Sequence, residues 1–159
     1  MSDGRINVRR ARAGDTVALK EILRDTFENT WLPHITPASA ERYVHSDIGG
    51  HYVDEHGQDF AVAEIDGKLA GLVHWQDDFI EALHVSTQYQ GRGVGRNLLD
   101  HAEAMIRSAG FPQARLETDT FNEQAQAVYK ARGYEEKGRY PDDEWDSGFT
   151  TVLFVKQFA

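Results

Sequence analysis

Leu83-His84-Val85-Ser86-Thr87-Gln88-Tyr89-Gln90-Gly91-Arg92-Gly93-Val94-Gly95-Arg96 runs from an apolar strand, through a turn, into the start of a long helix. The helix is marked by Val94, Leu98, Leu99, Ala102, Met105, Ile106 and Ala109, an apolar stripe ended by Gly110 and Pro112. Glycines allow consecutive amides to point inward and a ligand to approach the backbone closely. The first helical turn adds free N–H donors and a favourable dipole. The segment therefore reads as an anion site suited to phosphate or pyrophosphate. Its simpler reading is a glycine-rich turn without a ligand.

Two familiar phosphate loops do not fit. A nucleoside-triphosphate loop ends in Gly-Lys-Ser or Gly-Lys-Thr, whereas Gly95 is followed by Arg96-Asn97. A dinucleotide Gly-x-Gly-x-x-Gly places glycine where Arg96 stands, and its turn follows the strand at once. Here five residues separate Val85 from Gly91.

Outward from the loop, the order of elements becomes readable. Ile6-Asn7-Val8-Arg9 alternates as a short strand, and Asp15 is placed to cap a helix carrying Leu19, Ile22, Leu23 and Phe27. Pro33 and Pro37 interrupt; Thr36-Pro37 opens a second short helix through Tyr43 and Val44, with Gly49-Gly50 as its expected stop. Residues 60–65, 69–75 and 79–85 are apolar strands joined by Asp66-Gly67 and Asp77-Asp78, which predicts an antiparallel meander. After the long helix, 114–118 is a strand, and Asn122 or Thr120 can cap a helix bearing Ala125, Val128 and Tyr129. Lys130, Arg132 and Gly133 end that helix, and 134–139 pairs with 149–155 as a closing hairpin.

Gln90-x-x-Gly93-x-Gly95 resembles the pyrophosphate loop of the GCN5-related N-acetyltransferases, which bind acetyl-CoA. Leu83-x-Val85 resembles the strand of that family that splays apart to admit the pantetheine arm. Asn122-x-x-Ala125-x-x-x-Tyr129 resembles its second motif, and Gly133-Tyr134 the turn into its sixth strand. The resemblance covers nearly all 159 residues. It implies one α/β domain over 1–159, with a central, mostly antiparallel mixed β-sheet flanked by about four helices. It also implies a homodimer as a compatible state, although no residue here establishes one.

Composition agrees with a globular domain: 40% of residues are hydrophobic and 27% charged. With 26 acidic against 17 basic residues the net charge is −9, which disfavours a dedicated nucleic-acid binder. Arg5, Arg9, Arg10 and Arg12 make the start basic. Asp142, Asp143, Glu144 and Asp146 form an acidic stretch that reads as a solvated loop, or as an attractor for a cationic substrate. The absence of cysteine excludes disulfides, a thiol nucleophile and thiolate metal sites, and is compatible with a reducing cytoplasm, the expected location. The polar N-terminus and the lack of an apolar run of about 18 residues predict no signal peptide and no membrane span.

Acetyl transfer to an amine needs an anchored cofactor, a neutral amine, oxyanion stabilisation and a proton for the departing thiolate. Resemblance assigns the pyrophosphate to amides of Gly91, Arg92, Gly93, Val94, Gly95 and Arg96, with Arg92 and Arg96 able to add charge-assisted contacts. Gln90 contributes its own amide or closes the turn. The Val85 amide is the family-like donor to the thioester carbonyl, and backbone at Leu83, His84 and Val85 lies along the pantetheine arm. Tyr129 is the general-acid candidate: a phenol near about 10 can protonate a thiolate of about 8.5 as sulfur departs. Asn122 holds the cofactor arm or its water, or simply caps the helix.

The base is open between Glu81, His84 and water. Glu81 stands where many relatives carry a catalytic glutamate, and partial burial would raise its pKa; His84 is intrinsically tuned to neutral pH. Unbroken alternation puts Glu81 on the face of Leu83 and Val85 and His84 on the other, unless a bulge intervenes.

Acceptor contacts are expected from Phe27-Glu28-Asn29-Thr30-Trp31-Leu32-Pro33-His34 and Tyr140-Pro141-Asp142-Asp143-Glu144-Trp145, above all Glu28, Trp31 and Trp145. Aromatics beside carboxylates suit a small-molecule, peptide or protein amine. The tryptophans read equally well as packing residues. Of seven histidines, His45, His51 and His56 share a region but lack His-Glu-x-x-His spacing, so no metal is expected. There is no Gly-x-Ser-x-Gly nucleophile elbow. The alternative of another class is a coenzyme-A-binding regulatory or interaction module without transfer activity.

Overall fold

The computed structural model describes residues 5–141 and 149–158. The opening strand β1 (Ile6–Arg10) is followed by α1 (Thr16–Thr26), a π turn (Phe27–Trp31), α2 (Pro37–His45) and α3 (Ile48–His56). The meander β2 (Ala61–Ile65), β3 (Lys68–Gln76) and β4 (Phe79–Val85) leads into α4 (Val94–Ser108). Then come β5 (Gln113–Asp119), α5 (Glu123–Ala131), β6 (Glu135–Pro141) and β7 (Thr150–Gln157). The strands form one sheet in the order β1-β2-β3-β4-β5-β7-β6. Only β4 and β5 run parallel; every other neighbouring pair is antiparallel. This is the α/β architecture expected above.

Alternation along the strands builds a core on each face of the sheet. Ala61, Ala63 and Val73 face Leu98, Leu99, Ala102 and Ile106 of α4. Val62 and Leu72 face Leu19, Ile22 and Leu23 of α1 and Val53 of α3. Gly71 of β3 is required by close approach: a Cβ there would stand 2.7 Å from the His84 carbonyl oxygen and 3.0 Å from a Leu98 methyl.

Two local expectations change. Gly49-Gly50 does not end a helix but forms the first turn of α3; α2 stops earlier, at Ser46 and at Asp47 in left-handed φ of 49°. The glycines serve proximity, since a Cβ on Gly49 would meet Tyr43 Oη at 2.9 Å and one on Gly50 would overlap the Asp47 carboxylate. Asp15 does not cap α1 through its side chain. Its carboxylate closes the preceding turn, accepting from the Arg12 amide at 2.7 Å and from Arg9 at 2.9 Å.

The helix that carries Tyr129 is tied down at both ends. Asn122, rather than Thr120, caps α5, its Oδ1 accepting the Ala125 amide at 3.2 Å. Beyond the other end, buried Glu103 of α4 accepts from Arg132 Nη2 at 2.9 Å, Tyr134 Oη at 2.9 Å and Lys156 Nζ at 2.7 Å. A buried carboxylate so fully paired locks α4, the end of α5 and β7 into one arrangement.

Candidate active site

The sheet opens along its middle. Between β4 and β5 the register partners are Phe79 with Arg115 and Ile80 with Leu116, and pairing stops there. Ser86 N–H donates to the Ala70 carbonyl at 2.8 Å, which makes that facing pair a hydrogen-bonded one. In an antiparallel ladder such pairs alternate. His84 opposite Leu72 is therefore bonded to β3, whereas the N–H and C=O of Leu83 and Val85 point away from it, toward diverging β5. Two strand amides thus open into a cleft where an extended ligand can bond as a strand would.

The glycine loop forms the mouth of this cleft. Gly91 and Gly93 take φ of 81° and 85°, values that exclude most side chains. Gly93 is the residue from which α4 starts, and its carbonyl accepts the Asn97 amide at 3.1 Å. The amides of Val94, Gly95 and Arg96 precede the first intrahelical bond and face outward from the helix start. Val94 is buried in the core, so it contributes backbone only, while Arg92 and Arg96 are exposed. Arg92 lies over the Tyr89 ring at 5.5 Å. Gln90 closes the turn, its Nε2 donating to the Val85 carbonyl at 3.3 Å. Asp25 of α1 holds the same loop through the Thr87 amide at 2.8 Å and hydroxyl at 2.9 Å.

Deeper in the cleft lies a cavity of about 710 Å³ between α1, α3 and strands β4 to β6. Tyr129, Glu81, Leu83, His84, Asn122 and Trp31 all line it. Tyr129 is 9% exposed, and burial pushes its phenol up to about 12. It therefore holds its proton throughout the neutral range.

The position of Glu81 rests on an irregularity. His74 faces Ala82 and Trp75 faces Ile80, leaving Glu81 as an extra residue on β4. This bulge resets the alternation: Ile80 packs in the α4-side core together with Leu83 and Val85. Simple alternation had separated Glu81 from His84, yet both border the cavity. The Glu81 side chain is exposed there rather than partly buried.

His84 is set differently. Its Nδ1 lies 2.8 Å from Thr26 Oγ1, and that hydroxyl donates to the Leu23 carbonyl at 3.2 Å. The consistent tautomer donates Nδ1–H to Thr26 and leaves Nε2 as acceptor. Although part of its surface remains open, packing around the ring lowers its pKa to about 4.

On the acceptor side, Trp31 Nε1 donates to Asp119 Oδ2 at 3.0 Å, joining the π turn to the end of β5. Glu28 is exposed and does not line the cavity. Trp145 and the acidic stretch of 142–146 lie outside the described residues. Two carboxylates not anticipated, Glu117 and Asp119, complete the wall, and no Lys or Arg lines the cavity among the described residues. The usable signal for them was position: they sit at the carboxyl end of the strand across the parallel fork, where α/β sheets gather ligands. The histidine grouping also changes, because the fold brings His56 to Asp59 and His74 rather than to His45 and His51.

The family model for the acetyltransferase (GNAT) family matches residues 16–134. The chain belongs to that family. The fork, the glycine loop and the helix bearing Tyr129 all fall within the matched GNAT region. Among curated proteins, the probable N-acetyltransferase family 8 member 5 of Mus musculus is 27% identical over 126 residues, covering 71% of this chain and 55% of that protein. The chain thus spans little more than half of that relative. Blasticidin-S acetyltransferase of Streptomyces morookaense is 33% identical over 94 residues, 59% of this chain and 67% of its own length. A solved structure, the PaiA N-acetyltransferase of Thermoplasma acidophilum in complex with coenzyme A, superposes with a TM-score of 0.75 at 17% identity, over 97% of this chain and 99% of that one. At that identity the likeness is one of GNAT fold.

Proposed function

We propose that this GNAT domain is an acetyl-CoA-dependent N-acetyltransferase in which a primary amine attacks the thioester directly. The observation that carries the proposal is the pair of Leu83 and Val85 amides turned into the fork, with Tyr129 in the cavity that Leu83 also lines. Acetyl-CoA supplies the activated acyl group. The amides from Gly91 to Arg96 hold its pyrophosphate at the helix start, with the exposed Arg92 and Arg96 adding charge. Leu83 and Val85 pair with the pantetheine amides, and the Val85 N–H donates to the thioester carbonyl. Tyr129, kept protonated by burial, gives its proton to the departing sulfur.

Glu81 receives the amine proton, directly or through water. His84 suits that task less: its ring is packed and held through Nδ1 by Thr26, whereas the Glu81 carboxylate is exposed to the cavity and carries the charge that draws in a cationic amine. The acceptor is a cationic primary amine of a small molecule, peptide or protein. Carboxylates of Glu81, Glu117 and Asp119, with Trp31 and Tyr140 nearby and no Lys or Arg on the wall among the described residues, favour a positively charged guest.

The deciding experiment is CoA release from acetyl-CoA across a panel of amines and peptide amines, with mass detection of the product. Amine-dependent acetylated product supports transfer. Tight acetyl-CoA binding without product from any amine turns the reading toward a regulatory coenzyme-A module. Product from an alcohol but from no amine overturns the acceptor class, and absence of binding overturns the loop assignment.

A further inference from the structure

Behind the acceptor cavity, His74 of β3 is only 1% exposed. Its Nδ1 is hydrogen-bonded to Tyr52 Oη. Its Nε2 is, among the described residues, the buried side-chain nitrogen or oxygen that no protein group satisfies. Two further donors converge on this imidazole. One nitrogen each from His56 and His74 and a carboxylate oxygen of Asp59 lie within 4.8 Å of one another. The two imidazole rings are stacked with centroids 5.3 Å apart.

We propose that His56, Asp59 and His74 bind a divalent transition metal of the zinc class, at a site separate from acetyl transfer. Two imidazoles and a carboxylate are the donors such ions favour, whereas calcium and magnesium take oxygen shells. The Tyr52 contact gives His74 the outer-shell partner that ligating histidines require: Nδ1–H donates to the phenol oxygen, leaving the Nε2 lone pair for the metal.

The frame is rigid where it needs to be. His74 lies in the sheet against the buried Phe60 ring, 5.2 Å away, and His56 ends α3. Asp59 closes a short turn, Gly57–Asp59, which Arg10 Nε holds by donating to the Gln58 carbonyl at 3.1 Å. Two charged neighbours compete: Arg10 Nη2 is 3.7 Å from Asp59 Oδ1, and Glu55 Oε2 is 3.6 Å from His56 Nε2. Both pairs are long, and Arg10, Asp59 and Glu55 are largely exposed, so the pairs yield to a metal easily. Exposed Asp59 and half-buried His56 supply the entry path, while three protein ligands leave room for water on the ion.

The test is titration of untagged, metal-stripped protein with Co²⁺, read by its visible absorption, followed by displacement with Zn²⁺. One saturable Co²⁺ per chain is expected, displaced by Zn²⁺. His56→Ala and Asp59→Asn each weaken binding by at least about tenfold, while His45→Ala and His51→Ala leave it unchanged. Asp59 is exposed and His56 half-buried at the end of α3, and neither belongs to the buried core, so their substitution leaves that core in place. Absence of saturable binding overturns the proposal. So does binding that His56→Ala and Asp59→Asn leave as tight as in the parent.

Discussion

One oxygen of the Asp78 carboxylate accepts from both Nε and Nη2 of Arg115, at 3.0 and 2.8 Å, at the end where β4 and β5 are still paired. The Arg115 amide also donates to the Asp78 carbonyl at 2.8 Å, and Gln113 Nε2 reaches the other carboxylate oxygen at 3.1 Å. Side chain and backbone together clamp the closed end of the fork. Asp78→Ala is expected to cost about 1–2 kcal/mol of stability at neutral pH. Arg115 holds the Asp78 carboxyl below its usual range. A depressed folded pKa stabilises above the unfolded value, about 4, and that contribution disappears as pH falls through the folded pKa. Urea unfolding at neutral and acid pH checks this: the gap between parent and variant should narrow in acid.

Tyr129→Phe is expected to lower turnover at least about tenfold while acetyl-CoA affinity stays within a small factor. The ring itself is packed against Tyr134 and Phe154, at centroid distances of 5.9 and 6.0 Å, and phenylalanine preserves that packing. Equal turnover in the two proteins removes Tyr129 from the chemistry.

Glu81→Gln and His84→Gln should separate in their pH profiles of kcat/KM. The limb reporting base ionisation is expected to disappear in Glu81→Gln and to persist in His84→Gln, which leaves the Glu81 carboxylate in place and removes only a ring held by Thr26. A limb retained by both variants excludes both residues as base.

Gly71→Ala tests the packing that sets the position of β4. The added methyl meets a backbone oxygen, that of His84, which cannot turn aside as a flexible side chain does. A loss of about 1–3 kcal/mol is expected, together with weaker acetyl-CoA binding as β4 shifts. Thermal unfolding and acetyl-CoA titration measure the two effects. Unchanged values for both would mean that β4 accommodates the methyl freely.

The meander and the glycine loop are legible in the residues because their determinants are local. Asp66 and Gly67 adopt φ of 55° and 80°, as an Asp-Gly hairpin turn demands, and Gly91 and Gly93 adopt the conformations only glycine takes readily. Determinants that depend on a partner are not legible. Gly49 and Gly50 read as a stop until Tyr43 and Asp47 are seen pressing on them. The Glu81 bulge exists only in relation to β3, so nothing in 79–85 alone announces it. Glu117 and Asp119 join the site because β5 leaves β4, and His56 meets His74 because β3 returns beneath the end of α3. Register and crossing decide these contacts.

A sheet that forks has four edges, not two, and they are guarded differently. The outer edges, β1 and β6, carry Arg9, Arg10, Glu135, Glu136, Lys137 and Arg139, and Lys137 is an unpaired extra residue opposite β7. Charge and irregularity of that kind discourage another chain from adding a strand. The inner edges need neither device: α1 packs on β4 and α4 on both β4 and β5, and the two edges face one another across the cavity rather than outward. The fold can therefore keep unpaired strand amides ready for a ligand without offering them as a template for aggregation.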